Sequence, residues 1–199
     1  FLGSYATRRK LWQRLKEVGL MEDAEPNAAH YAIVELEKMG KLISVVTQNV
    51  DNLHQKAGSN PALIRELHGN MQVLVCLDCR ERYPIGIIKE KYAHSNDVPI
   101  CEYCRGILKP DVIFFGEALP QKTLSLAMQE AGECDLMLVI GSSLVVYPAA
   151  YVPVHAKQSG AGLVIINKGD TEQDSLADVR IDAGAGETMT KIIERLKRL

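Results

Sequence analysis

The chain has 199 residues, of which 47% are apolar and 24% charged, and its formal net charge at pH 7 is -2. This length is enough to bury one ordinary hydrophobic core, with room for a small inserted module. The nearly balanced charge provides no basic field to hold a nucleic-acid backbone, which argues against nucleic-acid binding.

Neither a membrane span nor a signal peptide is predicted. The longest apolar candidate, residues 144–154, is interrupted by Pro148 and Pro153 and falls well short of the roughly 20 residues that a spanning helix needs. Residues 1–5 show no cationic region followed by an apolar stretch. We therefore expect a cytoplasmic protein whose thiols are reduced or metal-bound.

Helical and strand-like apolar patterns alternate along the chain. Leu11, Trp12, Leu15 and Val18 share one face of a first helix, which ends at Gly19. Further helices are predicted at 27–39, 121–132, 148–160 and 187–199, and strands at 43–46, 112–115, 136–140 and 163–166. The strand runs are apolar without alternation, as in strands that are buried on both faces. This order predicts an α/β fold, a Rossmann-like parallel sheet with helices on both faces.

Four of the five cysteines lie in a polar, turn-rich stretch that interrupts this pattern. We expect residues 76–109 to form a small inserted module, and residues 1–75 and 110–199 to form the Rossmann-like domain. Two C-x2-C pairs provide four thiolates, the donor set of a closed tetrahedral zinc site, which predicts one structural zinc ion per chain. The alternative is two disulfides or four unrelated thiols. The four cysteines are Cys76, Cys79, Cys101 and Cys104.

Polar or small residues follow three of the predicted strands. Gln48, Asn49 and Asp51 follow the first strand, Gly141-Ser142-Ser143 follows another, and Asn167 ends the next. The carboxyl ends of parallel strands meet at one edge of a sheet, where α/β proteins bind ligands. Asp51 alone also fits a helix cap.

His68, between Leu67 and Gly69, is a candidate general base because an imidazole has an unperturbed pKa of about 6.5. An isolated histidine is more often structural, so the functional interpretation depends on the surrounding motifs.

The motifs at residues 47–54 and 66–70, followed by the four cysteines, together resemble the sirtuins, NAD-dependent protein-lysine deacylases, in their bacterial and archaeal form. The resemblance extends over nearly the whole chain. It implies that His68 is the catalytic base and that the segment at 48–51 binds the nicotinamide ribose and carboxamide. The implied NAD-binding residues are Gln48, Asn49, Val50, Asp51, Gly141, Ser142, Ser143, Asn167, Lys168, Gly169 and Ala185.

The same resemblance implies a substrate segment at residues 109–117. In it the backbone of Ile113 holds the acyl-lysine amide and Phe115 forms a wall of the acyl-lysine tunnel. The peptide is added as a strand between two short segments. Those segments are Gly116 with Glu117 and Val146 with Tyr147.

Tyr5 and Arg8 have the spacing with which some sirtuins bind the carboxylate of a succinyl group. The alternative is a buried tyrosine at a helix start beside a solvated arginine.

The implied function is NAD-dependent deacetylation of protein lysines, extended to desuccinylation, with acylated proteins or peptides as partners. The acyl oxygen attacks the anomeric carbon and nicotinamide leaves. His68 then takes a proton from a ribose hydroxyl, and hydrolysis releases lysine and O-acyl-ADP-ribose. Two alternatives remain open, an NAD-dependent protein ADP-ribosyltransferase and a non-catalytic zinc-containing interaction module.

No glycine-rich turn precedes the first predicted strand, whereas the sirtuin pattern has one that cradles the pyrophosphate of NAD. The run at 183–186 is glycine-rich, but only one helix follows it, so it does not open a βαβ unit. We therefore expect residues 1–199 alone to bind NAD poorly and to be inactive.

Overall fold

The protein is represented by a computed structural model that describes residues 3–17 and 24–199. The predicted contribution of Val18 and Gly19 to the first helix lies outside these residues. The chain divides into two compact units. The first unit comprises residues 1–24, 49–52 and 68–115, and the second comprises residues 25–48, 53–67 and 116–199.

The helices and strands of the described residues follow one another in this order: α1 (Tyr5–Glu17), α2 (Ala28–Lys38), β1 (Val45–Thr47), α3 (Leu53–Ala57), β2 (Ile64–Glu66), β3 (Gly69–Cys76), β4 (Arg82–Pro84), α4 (Ile85–Lys91), β5 (Leu108–Val112), α5 (Gln121–Glu133), β6 (Leu136–Ile140), α6 (Tyr151–Gln158), β7 (Gly162–Ile166), β8 (Val179–Ile181) and α7 (Ala185–Leu196). Short 3-10 turns occupy Pro61–Leu63 and Asp174–Leu176.

The first unit is built on an antiparallel sheet in which β3 lies between β4 and β5. Its core is a cluster that contains Trp12 of α1, Leu74 of β3 and Ile88 of α4. The burial of Trp12, at 4% exposure, attaches α1 to the sheet through its apolar face.

The second unit contains parallel strands with helices on both faces. Strand β7 lies between β6 and β8, and Ile166 packs with residues of α2 and α7 on one face. On the other face, Leu163 and Ile165 pack with Ala150 at the start of α6. This alternation of partners along one buried strand is what the continuous apolar run predicts.

Several predicted elements have their expected type and differ at their ends. Helix α2 begins after Asn27, whose side chain accepts hydrogen bonds from Ala29 N (2.9 Å) and His30 N (3.4 Å). The side-chain cap at Asn27 explains why helix α2 begins at Ala28, two residues after Pro26. Helix α6 begins at Tyr151 rather than at Pro148.

Two features of the predicted fold are corrected by the structure. The parallel strands form two sheets rather than one, because no strand in the described part of the chain pairs with both β1 and β6. The strand predicted at 112–115 is wrong: β5 runs from Leu108 to Val112 and belongs to the antiparallel sheet. The sequence signal was hidden because Lys109, Pro110 and Asp111 break the apolar run, although Lys109 is only 8% exposed.

Across residues 3–17 and 24–199, no helix is both long enough and apolar enough to cross a membrane.

Candidate functional site

The four predicted cysteine ligands come together in the first unit. Their Sγ atoms all lie within 4.8 Å of one another, with Cys76 to Cys104 at 3.4 Å and Cys79 to Cys101 at 3.5 Å. A zinc ion with four sulfur ligands at about 2.3 Å requires S···S edges of about 3.8 Å. The donor set and its spacing therefore fit one tetrahedral zinc ion. The alternative of disulfides is wrong, because all of these cysteines are free.

Each cysteine pair is presented by the same tight turn. The amide of Arg80 donates to Cys76 O (3.1 Å), and that of Arg105 donates to Cys101 O (3.0 Å). Both arginines have left-handed backbone angles, with φ of 66° at Arg80 and 64° at Arg105. Gly106 follows the second turn, where a Cβ would lie 3.0 Å from the Cys76 sulfur. These turns direct two thiols each toward a common centre.

A hydrogen bond from Tyr83 favours the thiolate at Cys101. The two atoms are 3.2 Å apart, and the Tyr83 hydroxyl also accepts from Glu102 N at 3.2 Å. Burial raises the pKa of Cys101, but the bonds from Tyr83 and from backbone amides outweigh burial and lower it to about 6. The pKa of Tyr83 is raised to about 12, chiefly by the bond to Cys101. A thiolate at neutral pH is the form that binds zinc.

His68 lies immediately before β3, where the chain passes close to the end of β5. The amide of Ile113 donates to His68 O at 2.9 Å. Gly69 has φ of 80°, and a Cβ at this position would overlap the carbonyl oxygen of Asp111 and lie 3.0 Å from Val112 Cα. The absence of a side chain at Gly69 therefore allows β3 and β5 to approach each other. The hydrogen bond from Ile113 then holds the backbone of His68 in place.

The segment at residues 49–52 is held against the start of β3. The amide of Met71 donates to Val50 O at 3.0 Å, and Asn70 Nδ2 donates to Asn52 Oδ1 at 3.1 Å. Asn52 has a left-handed φ of 64°. Within the first unit the structure thus brings the predicted residues Asn49, Val50 and Asp51 to the strand that follows His68.

The predicted substrate segment leaves β5 as an irregular loop. Lys109 Nζ donates to Val112 O at 2.5 Å and lies 4.2 Å from the centre of the Phe114 ring. Phe115, predicted to form a tunnel wall, is fully exposed. Phe114, which was not among the predicted site residues, is partly buried and contacts the Lys109 ammonium.

Tyr5 and Arg8 share one face of α1. The Arg8 guanidinium lies 5.9 Å from the centre of the Tyr5 ring, and Tyr5 is 53% exposed. The alternative of a buried tyrosine at the helix start is therefore wrong. Tyr5 and Arg8 both belong to the first unit.

In the second unit, the loop after β6 contacts the end of β7 and the loop that follows β7. Gly141 has φ of 62° and donates its amide to Ile166 O at 2.9 Å. Ser142 Oγ accepts from Leu144 N at 3.3 Å, while Ser143 O accepts from Glu172 N at 3.3 Å. The predicted segment at 141–143 is thus tied to the ends of β7 and to the loop that follows it.

The loop at residues 167–169 has an internal set of hydrogen bonds. Asn167 Nδ2 donates to Lys168 O (3.1 Å) and to Gly169 O (2.9 Å). The amide of Gly169, with φ of 76°, donates to Asp182 Oδ1 at 3.2 Å. Ala185, the last predicted NAD contact, is the first residue of α7.

The remaining predicted residues of the second unit are surface residues. Tyr147 donates to Glu172 Oε2 at 3.2 Å, and its ring is 4.7 Å from that of Tyr151. Desolvation of its hydroxyl, together with the bond to Glu172, raises the pKa of Tyr147. Gly116, Glu117 and Val146 are exposed, and the partly buried Gln48 directly follows β1.

Three residues that were not among the predicted site residues, Asn52, Asn70 and Arg180, lie in or bond to the predicted site segments. The two asparagines bond to each other across the segment before β3, and Arg180 bonds to the loop at 167–169. The asparagine directly after Asp51 is a signal that the sequence contained, because asparagine tolerates the left-handed backbone found here. For Arg180, a cation in a short edge strand provides no such signal.

Comparison with known proteins agrees with this geometry. The model of the Sir2 family matches residues 3–148, which is more than half of the chain. The chain belongs to the Sir2 family. The predicted sirtuin resemblance and the α/β fold class are thereby confirmed.

Curated Sir2 relatives match nearly the whole chain. "NAD-dependent protein deacylase 2" of Archaeoglobus fulgidus is 48% identical over 192 residues, 96% of this chain and 75% of that protein. "NAD-dependent protein deacetylase" of Thermodesulfovibrio yellowstonii is 42% identical over 198 residues, 99% of this chain and 77% of that protein.

Solved Sir2 structures have the same fold. Sir2 bound to an acetylated peptide superposes with a TM-score of 0.91 at 37% identity, covering 97% of this chain and 80% of that one. Sir2Af2 bound to a myristoylated histone peptide has a TM-score of 0.83 at 48% identity, covering 96% of this chain and 80% of that one.

Proposed function

We propose that this chain is an NAD-dependent protein-lysine deacylase that releases nicotinamide and O-acyl-ADP-ribose. The observation that carries the proposal is the backbone bond between His68 and Ile113, because it joins the candidate base to the candidate substrate segment within one unit. The names of the Sir2 relatives, deacylase and deacetylase, support the same reaction.

The residues of the first unit supply the acid-base chemistry. The imidazole of His68 takes a proton from a ribose hydroxyl of NAD, which makes that oxygen nucleophilic toward the bound acyl group. Asn49 orients ribose or water, and Asp51 accepts from the nicotinamide amide. The amide of Ile113 is bonded to His68 O, and its carbonyl is the backbone group that accepts the amide N–H of the acyl-lysine.

The residues of the second unit bind the rest of NAD and the peptide backbone. Gly141, Ser142, Ser143, Gln48 and the loop at 167–169 offer backbone amides, hydroxyls and a carboxamide, together with Ala185. The peptide adds as a strand, with its backbone bonded to Gly116 and Glu117 on one side and to Val146 and Tyr147 on the other.

Acyl range is set in part by Tyr5 and Arg8. A guanidinium presents several N–H donors in a planar fork that matches a carboxylate, so Arg8 would pair with the terminal carboxylate of a succinyl group. The Tyr5 ring below it keeps the guanidinium in place. We therefore propose desuccinylation as a second activity beside deacetylation.

The zinc site holds the first unit together and takes no part in the reaction. With four sulfur ligands the ion has no open position for water. Cysteines that gather as a zinc site rather than as disulfides are typical of a reducing compartment, so we propose the cytoplasm as the location. We propose residues 76–109 as the zinc-binding module within residues 1–75 and 110–199, although the compact unit that contains this module is larger and also includes residues 1–24, 49–52, 68–75 and 110–115.

One assay separates this proposal from its rivals. NAD and an acetyl-lysine peptide are incubated with the zinc-loaded protein, and the products are identified by mass spectrometry. A deacylase gives nicotinamide, free lysine peptide and O-acetyl-ADP-ribose; an ADP-ribosyltransferase gives an ADP-ribosylated protein; an interaction module gives no nicotinamide. Either of the last two results overturns the proposal when it is obtained with the form that carries an added N-terminal segment, described below.

The assay is run on two forms of the protein, because the sequence predicts that NAD binding needs a preceding glycine-rich turn. One form is residues 1–199, and the other carries the N-terminal segment of the Archaeoglobus fulgidus relative before Phe1. Turnover by residues 1–199 alone would refute the predicted need for that turn and leave the deacylase proposal standing.

A further inference from the structure

We propose that Arg180 is a positioning residue that holds the loop at residues 167–169 in the shape that receives NAD. The inference rests on the proposed function, because that function assigns the loop to NAD. Arg180 lies on the short edge strand β8 and was not among the predicted site residues.

The guanidinium of Arg180 closes the loop from one side. Its Nη1 donates to Asn167 O at 2.9 Å, and its Nη2 donates to Gly169 O at 2.5 Å. The two nitrogens of one planar fork thus hold carbonyls that are two residues apart in sequence. A lysine ammonium has no such fork, so the arrangement is specific to arginine.

A carboxylate fixes the guanidinium in this orientation. Asp174 Oδ1 accepts from Arg180 Nε at 2.9 Å and from Thr171 Oγ1 at 2.6 Å. The bonds from Thr171, followed by the one from Arg180, lower the pKa of Asp174. Asp174 therefore stays charged at neutral pH and connects Arg180 to Thr171, which follows the loop in the chain.

The hydrogen bonds within the loop determine which of its polar groups remain to bind NAD. Arg180 takes up the carbonyls of Asn167 and Gly169, and the Asn167 amide nitrogen bonds back to the loop. The carbonyl oxygen of the Asn167 side chain is thereby turned away from these internal bonds and can accept from a hydroxyl of NAD. Arg180 thus acts through the loop, because its guanidinium donates to Asp174 and to the two loop carbonyls.

The test compares Arg180→Met and Arg180→Lys with wild type and with Lys157→Met. Lys157 is a matched control because it also forms an ion pair near β8. Its Nζ donates at 2.5 Å to Oδ1 of Asp178, the residue before β8, at the opposite end of β7 from the loop. ADP-ribose affinity is measured by calorimetry, and amide hydrogen exchange is followed at Gly169. Steady-state kinetics use the form of the protein that is active in the assay above.

For Arg180→Met we expect ADP-ribose affinity to fall and the KM for NAD to rise, each by about tenfold, with kcat within about twofold of wild type. Arg180→Lys should resemble Arg180→Met, exchange at Gly169 should accelerate in both, and Lys157→Met should match wild type. The KM for the peptide should not change.

Unchanged ADP-ribose affinity in Arg180→Met would overturn the inference, as would a wild-type KM in Arg180→Lys. A wild-type protein that binds neither ADP-ribose nor NAD in either form would instead overturn the proposed function. The exchange rate at Gly169 then still shows whether Arg180 holds the loop, because that measurement needs no ligand.

Discussion

The amide of Ile113 donates a 2.9 Å hydrogen bond to the carbonyl of His68. This bond connects the end of β5 to the residue before β3, so the backbones of the proposed base and of the proposed acyl-lysine contact are fixed relative to each other. A base must be held within hydrogen-bond reach of its proton, and backbone anchoring supplies that constraint without using the imidazole.

His68→Ala should abolish deacylation while NAD binding survives. The variant loses only the imidazole and keeps the backbone bond to Ile113, so its melting temperature should stay near that of wild type. We expect kcat to fall by at least about a hundredfold. Turnover with acetyl-peptide and calorimetric NAD binding are measured beside His94→Ala, an exposed histidine of the same unit. Retention of more than a few per cent of turnover would remove His68 from the role of base.

Gly69→Ala should destabilise the first unit and inactivate the protein. The new Cβ would overlap Asp111 O and require a left-handed backbone, at a combined cost of about 2 to 4 kcal/mol. Gly86→Ala is the control, because nothing lies within 4 Å of a Cβ there and an alanine in helix α4 should be neutral or stabilising. Equal denaturation midpoints for the two variants would contradict the close approach of β3 and β5.

Cys104→Ser should lose bound zinc and the folded first unit together. Binding energy at a four-thiolate site is part of the folding energy of the surrounding module. Cys134→Ser, outside the cluster, should keep both. Metal content by mass spectrometry and thermal melting are measured for each, and Cys76→Ser should behave like Cys104→Ser. A metal-free protein with a wild-type melting temperature would refute a structural role for zinc.

Arg105→Gly should raise the melting temperature of the zinc-loaded protein. Arg105 has φ of 64°, a conformation that glycine adopts without steric cost, so relief should be worth about 0.5 to 1 kcal/mol. Arg105→Ala removes the same side chain but keeps the Cβ, and it should bring no gain. If both variants shift the melting temperature alike, the effect comes from the lost charge and not from the backbone.

Arg8→Met should lower turnover of a succinyl peptide by about tenfold and leave acetyl turnover unchanged, because only the succinyl group offers a carboxylate to the guanidinium. Arg9→Met changes the same charge at the next, exposed position and serves as the control. An unchanged ratio of the two activities in Arg8→Met would exclude Arg8 from the acyl site.

The sequence predicted most strongly those features that depend on local spacing. The C-x2-C pairs predicted the cysteine cluster because four sulfurs in two tight turns have few other arrangements. The continuous apolar runs at β6 and β7 predicted parallel strands, because apolar residues on both faces of a strand favour cover on both faces.

Features that depend on tertiary contacts were not predictable in this way. Strand β5 was missed because Lys109, Pro110 and Asp111 break its apolar run, and because its partner strand β3 lies about thirty positions or more earlier in the chain. Arg180 was missed because its role comes from carbonyls more than ten positions away in sequence. Neither relationship leaves a periodic pattern in the chain.

The buried position of Lys109 also provides a chemical reporter for the first unit. Lys109 is only 8% exposed, and its ammonium is covered by the Phe114 ring and bonded to Val112 O, whereas Lys91 of the same unit is half-exposed. An amine-acetylating reagent should therefore modify Lys109 only during openings of that unit. Its labelling rate would measure how often the zinc-bearing part of the chain unfolds, in a protein proposed to act on acetylated lysines.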